Sequence, residues 1–330
     1  MFRRSLKLSR NSPVKFISCF SDGKNRFQNG GKEGDISSFH IVAQEYGHSG
    51  RPLPTFSCSK PNNVQFNNAA TVTCRDLSSY VPNAFQLLNI LSSEECSQII
   101  KHLDNLGWDE DAPVSLPHSF RHMENVNWLA HDTIVNQIWN RAKNQLPNFA
   151  QSVAMDADAV GLNARFRCYK YQGGDYFKPH TDGSWPGSGL SKDGKSLIWD
   201  RYPGDRWSQY TFLLLLSDGY DGGRTIFYPT KDQIVKVPSV HVVPAELDGV
   251  INIDNEMVQV RTPLGAALCF PHGGHPDHAK HAGEIVAKFM KGDDEGTTRS
   301  KIMIRTEILY KRTEESDALQ KDWFRSGSGQ

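Results

Sequence analysis

The chain has no surplus of either charge. Its 37 Lys and Arg balance 37 Asp and Glu. A balanced chain lacks the electrostatic footprint expected of a nucleic-acid or anionic-membrane binder. It also lacks a disulfide framework, because its six cysteines lie scattered at 19, 58, 74, 96, 168 and 269 with no C-x-x-C among them. No Asn-x-Ser/Thr acceptor is present. Both absences favour a reducing, intracellular compartment. The longest apolar run, Phe212 to Leu216, is far too short to span a bilayer. Hydrophobic residues make up only 38% of the chain, which points to segments outside the packed core.

The first such segment is N-terminal. Residues 1–21 carry Arg3, Arg4, Lys7, Arg10 and Lys15 with no acid before Asp22. That composition suits a mitochondrial transit peptide, and equally a solvated basic tail, so the chain is expected in the cytoplasm or, with a transit peptide, in the mitochondrion. Residues 1–80 as a whole read as disordered or linker, with a short strand at 70–74. A folded domain is expected over 81–312 and a C-terminal tail over 313–330.

The domain opens with a strand at 84–90. Ser92 then caps a helix, and Glu95 three residues on completes a capping box. Cys96, Ile99, Ile100 and Leu103 form its apolar stripe, and Gly107 ends it. A second helix fits 133–145 before Pro147. After Gly161 the period changes from helical to two. Short strand candidates follow at 165–171, 176–182, 210–217, 224–228, 234–237, 258–261, 266–270, 285–289 and 302–310, separated by Gly-rich turns. Two helices followed by many short strands predict an α+β, mainly β fold, with the helices packed outside a double sheet.

Three stretches bear on chemistry. Gly189-x4-Gly194-Lys195-Ser196 matches a phosphate-binding loop letter for letter. Such a loop needs a buried strand before it and a helix after it. Here loop residues precede it, and Pro203 with Gly204 follow, so a P-loop nucleotide binder is the weakest reading. Second, His180 and Asp182 are one residue apart, and on an extended strand both project to one face. They supply two of the three ligands of a two-His-one-carboxylate Fe(2+) site. Third, His272, His275, His278 and His281 cluster after an apolar strand, where any of them could face His180 as the third ligand. Such a centre, with a bound 2-oxo acid and O2, removes hydrogen from an unactivated C–H bond, while the protein supplies ligands and orientation. A dicarboxylate co-substrate then needs a buried cation. Lys301 and Arg305 on the last strand lie on one face and both qualify.

These pieces stand in the order LNILSSEECSQII, RFRCYKYQGGDYFKPHTDG, YTFLLLLSDGYDGGRTIFYP, TPLGAALCFPHG, HAGEIV and KIMIRTEILY. The series, from about 83 to 312, resembles the prolyl 4-hydroxylase-like branch of the Fe(II)/2-oxoglutarate-dependent dioxygenase superfamily. The resemblance implies a double-stranded β-helix, or jelly roll, and an oxygenase that hydroxylates its substrate and releases succinate and CO2. It implies Fe(2+) and 2-oxoglutarate as cofactors, with L-ascorbate as a reductant. His180 and Asp182 match the proximal ligands. His281 matches the distal one, because His281-x-Gly283-x-x-Val286 resembles the family's H-x-G-x-x-V. Lys301 matches the basic residue that pairs with 2-oxoglutarate, Tyr171 the tyrosine that hydrogen-bonds it, and Thr225 a position in the family's GG-x-T-x-F strand.

Two departures stand out. The hairpin between Val286 and Lys301 is lengthened, which leaves Arg305 as the alternative anchor. Residues 183–208 form an insert carrying Trp185, Trp199, Tyr202 and Trp207, expected either to pack on the barrel or to form a substrate lid. The substrate, a small molecule or a protein side chain, is not named by the sequence. A catalytically silent jelly-roll binding module is the alternative function. Neither nucleic acid nor membrane is an expected partner, and O2 is.

Overall fold

A computed structural model describes residues 38–47, 49–58, 64–67, 71–112, 117–153, 157–230, 250–253, 257–287 and 300–325. The basic segment 1–21, the expected strand 234–237 and most of the lengthened hairpin after Val286 lie outside them.

The described chain is mostly β. Its larger sheet runs Phe39–Tyr46, Pro52–Cys58, Glu124–Leu129, Arg165–Tyr171, Lys301–Lys311, Arg206–Leu215, Ala267–Pro271, Phe85–Leu88 and Thr73–Asp76, with short strands Ser152–Val153 and Ala157–Leu162 beside it. A smaller sheet runs Val250–Ile253, Met257–Val260, Thr225–Phe227, His281–Gly283, Tyr176–His180 and Arg121–His122. The arrangement is compatible with a jelly roll.

The central strands of the larger sheet have two buried faces, and their alternation divides the work. Phe166, Cys168, Phe212, Leu214, Ile304 and Ile308 share one core with the helices. Residues at the intervening positions, Tyr169, Tyr171, Leu215 and Met303, point the other way and pack with Val286. This explains why Phe212–Leu216 shows no polar alternation.

Helix Ser93–Leu106 starts as its capping signal requires. Ser92 accepts from the Glu95 amide and Glu95 accepts from the Ser92 amide. Glu95 is also buried, and Arg141 of the second helix donates to both its oxygens at 2.8 and 2.9 Å. One side chain thus caps the first helix and ties down the second. The second helix runs Asp132–Ala142 and tightens to a 3-10 turn over Lys143–Gln145.

Three sequence expectations are corrected. Phe39–Tyr46 and Pro52–Cys58, within the stretch read as linker, pair antiparallel and join the larger sheet beside Glu124–Leu129. Their buried positions include polar Thr55 and Ser57, which are satisfied by Glu45 and by the Leu129 carbonyl, so the segment looks unstructured by hydrophobicity alone. Residues read as a tail include the helix Glu314–Arg325, which Thr313 and Ser316 cap reciprocally. The expected short strand near 70–74 lies at Thr73–Asp76, paired with Phe85–Leu88.

The phosphate-loop look-alike is a hairpin, Gly189–Leu190 against Leu197–Ile198, with no helix after it. No helix among the described residues is long and apolar enough to cross a membrane.

Candidate metal centre

Adjacent strands of the smaller sheet bring the first two ligands together. His180 ends Tyr176–His180, His281 opens His281–Gly283, and the two are paired across the ladder. Asp182 follows two residues after His180. His180 Nε2 lies 3.7 Å from one Asp182 oxygen, and His281 Nε2 lies 3.7 Å from the other. Two atoms each about 2.1 Å from one ion stand at most about 4.2 Å apart, so both separations admit a shared cation. Among the described residues this is the one group of three or more metal-ligating side chains gathered in this way.

The rings are oriented for ligation. His180 Nδ1–H donates to the Lys178 carbonyl at 2.8 Å, and His281 Nδ1–H donates to the Ala279 carbonyl at 3.1 Å. A carbonyl only accepts, so each Nδ1 carries the proton and each Nε2 keeps its lone pair for a metal. Burial, with His281 alongside, pushes His180 down to about 3. Burial lowers His281 as well. Burial alone would raise the Asp182 carboxyl, but Arg305 and then the two histidines outweigh it and hold it well below the usual range. The group therefore presents two neutral imidazoles and one carboxylate at neutral pH, without thiolate. That donor set fits Fe(II) and other first-row divalent ions.

Asp182 is held from behind. Thr211 donates to its Oδ2 at 2.7 Å, and Arg305 donates to Oδ2 at 3.2 Å and approaches Oδ1 at 3.1 Å. Because the Thr211 hydroxyl donates to Asp182, it accepts from His272 Nδ1 at 2.8 Å. His272 Nε2 then accepts from Ser208 at 2.9 Å. This fixes His272 as a neutral, fully paired residue, in keeping with a pKa that burial lowers to about 4. His275 and His278 bond within their own loop and do not reach the triad.

Lys301 lies apart from this cluster. It is buried on the Lys301–Lys311 strand, opposite Tyr171 in register. Its ammonium donates to the Gly223 carbonyl at 2.7 Å and sits 5.6 Å from the Tyr171 ring centre. Among the described residues no carboxylate pairs with it. Burial, with Arg261 adding to it, lowers its pKa to about 8. Lys301 and Thr225 line one pocket between the sheets, with Leu213, Leu215, Tyr220 and Met303. The two anchor candidates are thereby separated. Four residues along a strand is about 13 Å, and at that distance Arg305 bonds Asp182 and approaches Glu307 instead of lining the pocket.

The aromatics of the insert 183–208 lie against different arginines. Trp185 and Trp199 meet edge to face, over Arg167 and Arg165 respectively. Tyr202 instead stacks on Arg206, and Trp207 lies in the Arg206–Leu215 strand beneath Arg312.

No family model matches the chain, and no curated protein matches it. Two solved structures are similar over much of its length. One is the viral collagen prolyl hydroxylase of Paramecium Bursaria Chlorella virus-1 in complex with 2OG, 15% identical, covering 69% of this chain and 96% of that one at a TM-score of 0.39. The other is a 2OG-Fe(II) oxygenase family oxidoreductase from Burkholderia pseudomallei, 10% identical, covering 70% of this chain and 85% of that one at a TM-score of 0.37. At that distance, function rests on the chain's own site residues.

The sequence reading missed the polar face that continues past Asp182. Arg167 bonds Glu307, and Asn163 donates to Glu307 at 3.0 Å, all three buried. The signal was available: Arg165 and Arg167 in RFRCYKY, and Lys301, Arg305 and Glu307 in KIMIRTEILY, stand at alternate positions of largely apolar strands, which places each set on one face of its strand. Thr211 had no such signal.

Proposed function

We propose that this chain is an Fe(II)- and 2-oxoglutarate-dependent dioxygenase on a double-stranded β-helix, which hydroxylates an as yet unidentified substrate. The balanced reaction is R–H + 2-oxoglutarate + O2 → R–OH + succinate + CO2. His180 and His281 would hold iron through Nε2, and Asp182 through a carboxylate oxygen. When bound, the iron supplies the oxygen activation that couples decarboxylation of the 2-oxo acid to C–H hydroxylation.

The chain's own residues do the positioning. The backbone carbonyls of Lys178 and Ala279 hold both imidazoles in the ligating tautomer. Thr211 and Arg305 fix the Asp182 carboxylate. Lys301 would pair with the distal carboxylate of 2-oxoglutarate, with Tyr171 beside it and Thr225 across the pocket. Apolar Leu213, Leu215 and Met303 keep water away from that ion pair and so strengthen it.

One observation carries the reading: a His–Asp–His triad, with Asp182 and His281 buried and His180 half-buried, in which both Nδ1 protons are tied to carbonyls. The Lys301 cation, which forms an ion pair with no carboxylate among the described residues, supports the choice of co-substrate. The test is conversion of 2-oxoglutarate to succinate by the Fe(II)-loaded protein, with and without O2. Equal succinate in both conditions, or none in either, rejects the proposal. Ascorbate enters as the reductant that restores Fe(II), and its effect on the number of turnovers checks that part alone.

A further inference from the structure

We infer that Arg121 recognises a carboxylate of the substrate, so that the oxidised molecule is an acid or an acidic side chain. The inference rests on the metal and 2-oxoglutarate reading and adds the substrate's chemical class.

Arg121 stands beside the metal centre without belonging to it. It is the cross-strand partner of Phe177. Its guanidinium lies 5.2 Å from the Phe177 ring centre and 5.7 Å from that of Tyr169. Phe177 stacks on His180 with ring centres 3.6 Å apart. Tyr169 hydrogen-bonds Arg305, which holds Asp182. Two aromatic rings therefore lie against Arg121: Phe177 touches the triad directly at His180, and Tyr169 reaches it through Arg305. Cation–π contacts orient a guanidinium without neutralising it. Among the described residues Arg121 meets no carboxylate. Asp175, on the adjoining turn, is taken by His122 and by the Gln172 amide.

The charge count of the site points the same way. Besides the neutral pairs Arg165–Glu45 and Arg224–Glu284, the described charges of the site are four cations, Arg167, Arg305, Lys301 and the pocket-lining Arg261, against two carboxylates, Asp182 and Glu307. A divalent metal adds two positive charges and 2-oxoglutarate removes two, so the filled site keeps a net positive charge before Arg121 is counted. Arg121 then adds another beside Phe177 and Tyr169. An anionic substrate offsets this excess, whereas a neutral or cationic one would leave it uncompensated in a partly desolvated site. A planar, always charged fork suits a carboxylate.

The carboxylate can come from a free acid or from an acidic side chain, so the test carries both. The full chain is loaded anaerobically with Mn(II) and saturating 2-oxoglutarate. Acetate, benzoate and 4-phenylbutyrate are each compared with their primary amides, and an Asp-containing blocked tripeptide with its Asn counterpart. Mn(II)-induced proton relaxation of each probe reports binding near the metal. At least one acid should relax more strongly than its amide, and Arg121→Gln should weaken that acid about tenfold, the effect of losing one charge-assisted contact. Arg121→Lys should retain part of it. Amides binding as well as every acid, or acid binding unchanged in Arg121→Gln, overturns the inference. The Mn(II) signal separates the failures. If Mn(II) and 2-oxoglutarate bind and only the acid preference is missing, this inference alone falls. If they do not bind, the parent reading falls and takes this one with it.

Discussion

Lys301 gives the sharpest perturbation, because the same side chain makes opposite demands in the free and the bound states. Without an anion its ammonium is buried against one carbonyl, and its pKa is lowered from 10.5 to about 8. A shift of that size corresponds to roughly 3 kcal/mol held against folding at neutral pH. The sign follows from proton counts. Between about pH 8 and 10.5 the unfolded chain holds this proton and the folded chain does not, so ligand-free stability should rise with pH across that window. Lys301→Met keeps the apolar stem, removes the charge and forfeits one hydrogen bond worth about 1 kcal/mol. It should therefore stabilise the ligand-free protein by roughly 2 kcal/mol at pH 7 and flatten the rise above pH 8. Binding should suffer in return. Loss of one partner of a buried ion pair costs about 2–5 kcal/mol, or roughly 30-fold to more than 1,000-fold in 2-oxoglutarate affinity. Denaturant melts at pH 7, 8 and 10 and calorimetric titration with 2-oxoglutarate in the presence of Mn(II) read both effects. A variant that is destabilised, or that binds 2-oxoglutarate as the parent does, refutes this placing of Lys301.

Other predictions are simpler. His281→Ala should abolish measurable Mn(II) binding, whereas His278→Ala should leave it within about twofold, and equilibrium dialysis separates them. Burial lowers both His272 and His275 to about 4. Since the unfolded chain protonates them near 6.5, stability should fall as pH drops from about 6.5 to 4 and then level with respect to these groups. His275→Gln should reduce that slope in pH-dependent urea melts; an unchanged slope would show that another group sets it. Ser92→Ala removes the cap of the first helix and should cost about 1 kcal/mol in the same melts, without changing Mn(II) affinity.

How much of this was legible depended on how far apart the cooperating residues lie. His180 and Asp182 were readable because one residue separates them and a strand puts both on one face. His281 needed the surrounding H-x-G-x-x-V resemblance, since four histidines competed and only the paired register His180–His281 separates them physically. The choice between Lys301 and Arg305 could not be made from alternation, which puts both on one face. What lies opposite each, Tyr171 for one and Arg167 for the other, differs only in the fold, and it supports Lys301 under the proposed function. The helices were readable from local signals at Ser92 and Glu95. The paired strands Phe39–Tyr46 and Pro52–Cys58 were not, because at the sheet margin their buried positions include hydrogen-bonded Thr and Ser, and a hydrophobic period has little to register there. The insert's four aromatics looked like one group by composition but follow separate arginines in space.

The proposed function requires one joint site for iron and 2-oxoglutarate. The direct measurement is an anaerobic optical titration of the protein with Fe(II) and then 2-oxoglutarate. A visible metal-to-ligand charge-transfer band should appear only with both present, saturate at one equivalent of iron, and be lost in His281→Ala. No band in a folded protein, or an undiminished band in His281→Ala, would contradict the site described here.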